Sequence, residues 1–103
     1  MIRPVHRVFI STEAAFEMDA AFLWYEAQRP GLGHEFLQTV DAAVSAIGRE
    51  PANFRSVRPG VRRAVLRRFP YGVFFAIGDD RVTVLAVVHH RRSPTRWPQP
   101  PAG

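Results

Sequence analysis

Two stretches with helical periodicity stand on either side of a five-residue breaker, Arg29-Pro30-Gly31-Leu32-Gly33, and this spacing limits the fold more than any other feature. In the first stretch Ala15, Met18, Phe22 and Tyr25 recur at intervals of three and four, with Leu23 widening the stripe. Ser11 or Thr12 can cap the free N–H groups of its first turn, and Glu13 places an acid there, so a helix is expected from this point to near Gln28. Pro30 cannot continue the hydrogen-bond ladder, and the glycines can take the positive φ of a tight reversal. The second stretch carries Phe36, Leu37, Val40, Val44 and Ile47 on one face and Glu35, Gln38, Asp41 and Ser45 on the other, and stops at Gly48 or Arg49, before Pro51. A connection this short makes the pair an antiparallel helical hairpin.

The hairpin needs an apolar surface to cover, and the flanking sequence supplies strands. Val5 to Ile10 is a short β-branched and aromatic run ahead of the helices. Residues 51 to 61, with Pro51, Pro59 and Gly60, read as loop. Arg62 to Phe69, Val73 to Ile77 and Arg81 to His89 then read as three strands, joined by turns at Pro70-Tyr71-Gly72 and Gly78-Asp79-Asp80. Their close spacing predicts an antiparallel meander. The almost wholly apolar Val82–Val88 run suits an interior strand covered on both faces. The expected class is α+β, in the order β-α-α-β-β-β, with the helical hairpin on one face of a small, mainly antiparallel sheet. At 103 residues there is room for a single domain, assigned to residues 1–97, with 98–103 as an extended Pro-rich tail.

Charge points to the class of partner. Fourteen basic residues oppose nine acidic ones, for a formal net charge of +5, and every basic residue is Arg. A planar guanidinium fork suits phosphate and carboxylate, so an acidic protein or a nucleic acid is the expected partner. There is no Cys, hence no disulfide or thiolate metal site, and His6 and His34 lack ligand spacing to the other histidines, so neither metal nor cofactor is expected. The N-terminal residues lack the apolar core of a signal peptide and no run is long enough to span a membrane, which predicts a cytoplasmic protein.

Two basic clusters could carry function. Arg62-Arg63-Ala64-Val65-Leu66-Arg67-Arg68-Phe69, taken as a strand, places Arg62 and Arg68 with Ala64 and Leu66 on one face and Arg63 and Arg67 with Val65 and Phe69 on the other. Such a strand binds an acidic partner, or its charges simply guard a sheet edge against aggregation. His89-His90-Arg91-Arg92 closes the last strand, where adjacent His side chains point to opposite faces and at most one enters a shared site. Metal-independent ribonucleases need an acid, a base and cations for phosphate charge, and Arg67, Arg68, His89 and Arg92 could serve; solvated Arg beside a structural His is the alternative. Tyr25 is expected in the core. Trp97, set among prolines, either pins the tail to the body or anchors a partner.

Taken in order, Trp24-Tyr25-Glu26, Pro30-Gly31-Leu32-Gly33 and Phe36-Leu37, then Val61-Arg62-Arg63, Phe69-Pro70-Tyr71 and Val84-Leu85-Ala86-Val87 leading into His89, Arg92, Pro94 and Trp97, resemble the ParE/RelE superfamily of toxins from type II toxin–antitoxin pairs. The resemblance runs from Val8 to Trp97. It implies a plasmid-stabilisation toxin neutralised by a cognate antitoxin, with Arg62, Arg63, Arg67, Arg68, Arg91, Arg92 and Trp97 as residues for antitoxin or target. ParE-like members poison DNA gyrase; RelE-like members cut mRNA on the ribosome with Lys, Arg and a Tyr or His near the C-terminus. The chain has no Lys, carries Trp97 rather than Tyr after the last strand, and has Phe75 where many relatives have Tyr, which places it closer to ParE. A ribosome-dependent endoribonuclease and a non-toxic, degenerate member remain the alternatives.

Overall fold

A computed structural model describes residues 6–92 and Pro98. The order is β1 (Arg7–Ile10), α1 (Thr12–Gln28), α2 (Leu32–Arg49), a short 3-10 turn (Pro51–Asn53), β2 (Arg55–Arg58), β3 (Val61–Val65), β4 (Tyr71–Ile77) and β5 (Arg81–His89). The α+β class and the helical hairpin on a small sheet stand as expected. One strand is added: β2 lies in the stretch read as loop, and pairs antiparallel with β3 across a bulge between Ser56 and Arg58. Four residues with two arginines carry too little apolar signal to announce a strand. The sheet order is β1-β5-β4-β3-β2, antiparallel except that β1 runs parallel to β5.

Turn chemistry holds the hairpin close. Gly31 takes φ +91° ahead of α2. A Cβ added at Gly33 would stand 2.6 Å from the Phe22 carbonyl oxygen, so only glycine lets α2 begin this near α1. The Gly33 N–H donates to Glu26 Oε1 at 2.8 Å, so an α1 carboxylate caps the start of α2, where the N-cap itself makes no side-chain bond.

The core lies between helices and sheet. From α2 it takes Phe36, Val40 and Ile47, with Leu37 and Val44 partly buried, as the spacing predicted. From α1 it takes Ala14, Ala21 and Tyr25 with Met18 alongside, a stripe rotated from the expected one. Small alanines face the sheet because α1 packs directly on β5, and Leu23, assigned to the stripe, points outward. On the sheet's other face Val61, Phe74, Ala86 and Val88 form a second apolar cluster, so β5 is covered on both sides.

Strand β3 is shorter than read. It ends at Val65; Arg68 has φ +70°, and the chain turns through it so that Leu66 and Phe69 both enter the helix-side core. The face alternation expected beyond Leu66 therefore fails, and Arg67 and Arg68 belong to a loop. At the next strand the expected turn shortens instead, since Tyr71 and Gly72 already pair with His89 and Val88.

Candidate functional site

The first surface forms where β1 ends early. Its pairing with β5 stops at Ile10–Val84, leaving the rest of β5 without a strand on that side. Ser11 takes over the exposed backbone: its N–H donates to Val84 O at 2.9 Å and its hydroxyl to Leu85 O at 3.1 Å. The same hydroxyl accepts from Ala14 N and so caps α1. One turn on, Glu17 Oε1 accepts from Val87 N at 2.9 Å and Oε2 from Arg92 Nη1 at 3.2 Å. The main-chain groups at this open edge are satisfied by side chains of α1.

Between α1 and the end of β5 lies an open cleft of about 300 Å³, lined by Glu17, Trp24, Tyr71, His89 and Arg92, with Val87 and two alanines of α1 at its base. The Tyr71 and His89 rings meet edge-on with centroids 5.1 Å apart. Burial raises the Tyr71 phenol above its ordinary value, against an opposing pull from the Arg92 charge. His89 Nδ1 accepts the Arg91 N–H at 3.0 Å, which leaves the proton of a neutral ring on Nε2. In that tautomer His89 offers the cleft a donor rather than a base. His90 is exposed, so only one of the two histidines enters the cleft.

The other arginines lie elsewhere. Arg62 donates through Nη1 to Phe54 O at 2.6 Å and Ala52 O at 3.4 Å, which fastens the 3-10 turn to β3. Arg63 pairs across the ladder with Arg55, beside Phe74. Arg67 lines a groove between α2 and β3. Arg68 Nη2 donates to Glu35 Oε1 at 2.6 Å, and Arg29 donates to the other oxygen of Glu35 at 2.9 Å. Arg91 is exposed. Of the residues proposed for RNA cleavage, His89 and Arg92 share the cleft, Arg67 lines the groove, and Arg68 is bound to α2. Trp97 lies outside the described residues.

Glu35 thus ties the α1–α2 turn to the β3–β4 loop. Hydrogen bonds from Arg29 and then Arg68 hold its carboxyl below the ordinary value of 4.5. Glu26 is likewise lowered, first by the Gly31 backbone N–H and then by that of Gly33. A lowered native value means stabilisation that is complete above the ordinary carboxylate range and lost as the pH falls through the native one. Thermal unfolding followed between pH 7 and pH 2 should therefore show stability falling below about pH 4.5, and Glu35→Gln should flatten that fall. An equal slope in the variant would remove Glu35 from this role.

A third surface was not foreseen. Phe16 is 70% exposed, Leu23 66% and Trp24 60%, all on the outer side of α1 with Ala20 and Ala27 between them. The signal was present in the sequence, because α1 carries more apolar residues than one buried stripe can hold. A helix apolar all round that keeps half its apolar surface in water marks a place for a partner.

Among the described residues no cluster of His, Asp and Glu is arranged to hold a metal ion, and no helix is long and apolar enough to cross a membrane. A comparison with curated protein sequences finds no match. Among solved structures, a chain described as the chromosomal ParDE TA system from P. aeruginosa superposes with a TM-score of 0.74 at 20% identity, covering 82% of this chain and 96% of that one. At that identity the likeness speaks for the fold. Residues 8–94 match the family model described as ParE toxin of type II toxin-antitoxin system, parDE. The match spans both helices and all five strands, and the chain belongs to the ParE toxin family of type II toxin–antitoxin systems.

Proposed function

We propose that the protein is a cytoplasmic toxin that acts by binding DNA gyrase and is silenced when its cognate antitoxin covers α1. The observation that carries the proposal is the exposed Phe16–Leu23–Trp24 surface in a chain of net charge +5. Large apolar side chains held in water on a rigid helix suit a macromolecular contact, and aromatic anchors of this kind dominate such interfaces. The positive field favours an acidic antitoxin and speeds its encounter. Arg91 is open to a target or antitoxin carboxylate, whereas Arg62, Arg68 and Arg92 already bind groups of the chain itself and serve mainly to hold the surface. Purified protein should inhibit gyrase supercoiling in a dose-dependent way and lose that effect when its antitoxin is added. Supercoiling unchanged over a wide concentration range would overturn the gyrase reading.

The cleft of Tyr71, His89 and Arg92 supports a second reading, ribosome-dependent cleavage of mRNA with His89 Nε2 as proton donor and Arg92 facing phosphate. It requires Arg92 to leave Glu17, and it lacks an evident base. Mapping of mRNA 5′ ends after induction separates the two, since A-site cuts would favour cleavage and their absence removes it.

A further inference from the structure

We propose that the open edge of β3 at Val65 receives an extended acidic–apolar peptide segment as an added strand, with its apolar side chains in the groove beside α2. The inference deepens the antitoxin reading above, because it assigns a second, strand-like contact to that partner, separate from α1.

The edge follows from register. β2 reaches only to the Arg55–Arg63 pair, while β3 continues to Val65. Leu66 N donates to Tyr71 O at 2.9 Å, so in this antiparallel ladder Leu66 and Ala64 direct their main-chain groups toward β4. Val65, between them, directs its N–H and C=O the other way, past the end of β2. Its side chain is 56% exposed. A free N–H and C=O on an extended residue are what an incoming strand requires.

Beside this edge lies an apolar groove of about 210 Å³ between α2 and β3. Ala43, Ala46, Phe54, Ala64 and Leu66 make its walls, and the small residues on α2 leave room for a Val- or Leu-sized side chain. Arg67 lines it, and among the described residues no carboxylate of the chain pairs with Arg67. A strand paired at Val65 alternates its side chains between the groove and the Arg-bearing surface. The fitting sequence alternates apolar and acidic residues.

The same arginines exclude a second copy of the chain as occupant. Antiparallel self-pairing about Val65 would place Arg63 of each copy opposite Arg67 of the other, and like charges directly opposed are destabilising. Arginine on an edge deters self-association and favours a carboxylate-bearing strand.

The test uses the full chain, isotopically labelled, and the probe peptide acetyl-Glu-Val-Glu-Leu-Glu-Val-Glu-amide followed by NMR. Shift changes should concentrate at Arg63–Arg67 and at Ala43 and Ala46, and exchange of the Val65 amide should slow at least tenfold at saturation. N-methylation of the central Leu should weaken binding tenfold or more, as should Arg67→Glu. Equal binding of the N-methylated peptide would overturn the proposal, since strand addition needs the peptide N–H. Shift changes confined to α1 or β5, no binding at millimolar peptide, displacement of the signal by a single-stranded oligonucleotide, or a dimer with Val65 protected before peptide is added would overturn it too. Leu23→Glu should leave the titration unchanged, so loss of antitoxin binding through α1 and failure of the β3 edge are read separately.

Discussion

Phe36→Ala is expected to cost about 3–5 kcal/mol of folding stability, the largest loss from any single truncation in this core. Phe36 is fully buried in α2. Its ring stacks on Tyr25 of α1 with centroids 5.4 Å apart, meets Phe69 of the β3–β4 loop edge-on at 5.4 Å, and meets Tyr71 of β4 at 5.1 Å. Removing it opens a cavity where both helices and the sheet converge, and it forfeits aromatic contacts that no neighbour can replace. A domain this small has about 5–15 kcal/mol in total, so the variant should melt at least ~12 °C lower or fail to fold. Phe36→Leu keeps most of the volume and should be the milder change. Calorimetry that places the alanine variant within ~4 °C of the parent would show that the ring cluster does not join the layers.

The second large effect is expected in binding rather than folding. Leu23→Glu puts a charge in the middle of the exposed α1 surface, next to Trp24 and one turn from Ala20 and Ala27. Because Leu23 is 66% exposed, thermal stability should shift by no more than about 0.5 kcal/mol. Affinity for the antitoxin should fall by about 2–3 kcal/mol, roughly 30- to 150-fold, since a carboxylate would be desolvated against an apolar and acidic partner. Isothermal titration reads this directly. An unchanged dissociation constant would move the antitoxin off α1, and toxicity retained in the presence of antitoxin would be the cellular counterpart of a weakened complex.

Periodicity and breakers carried much of the fold. The spacing of Phe36, Val40 and Ile47, the Pro30–Gly31 reversal and the Gly78-Asp79-Asp80 turn are local signals, and each element they announce is present. The order of quoted motifs from Trp24 to Arg92 carried the family. The charged strand was only half legible: Arg62 and Ala64 take the expected face, but the left-handed Arg68 redirects the chain before the alternation can continue. That turn has no local cue, because non-glycine residues rarely adopt positive φ, and here Glu35, 33 positions away, holds the side chain.

The amino-acid order by itself determined the helical hairpin, the sheet-forming segments and the excess positive charge, since these depend on neighbours a few positions apart. Tertiary packing alone decided which side of α1 faces water, which arginines are occupied and where a strand edge stays open. An apolar helix offers several stripes to a sheet, and close approach to β5 selected the alanines and left Phe16, Leu23 and Trp24 outside. A guanidinium is available or engaged according to carboxylates and carbonyls brought near it by folding, and such pairings, like the one between Glu17 and Arg92, join residues 75 positions apart.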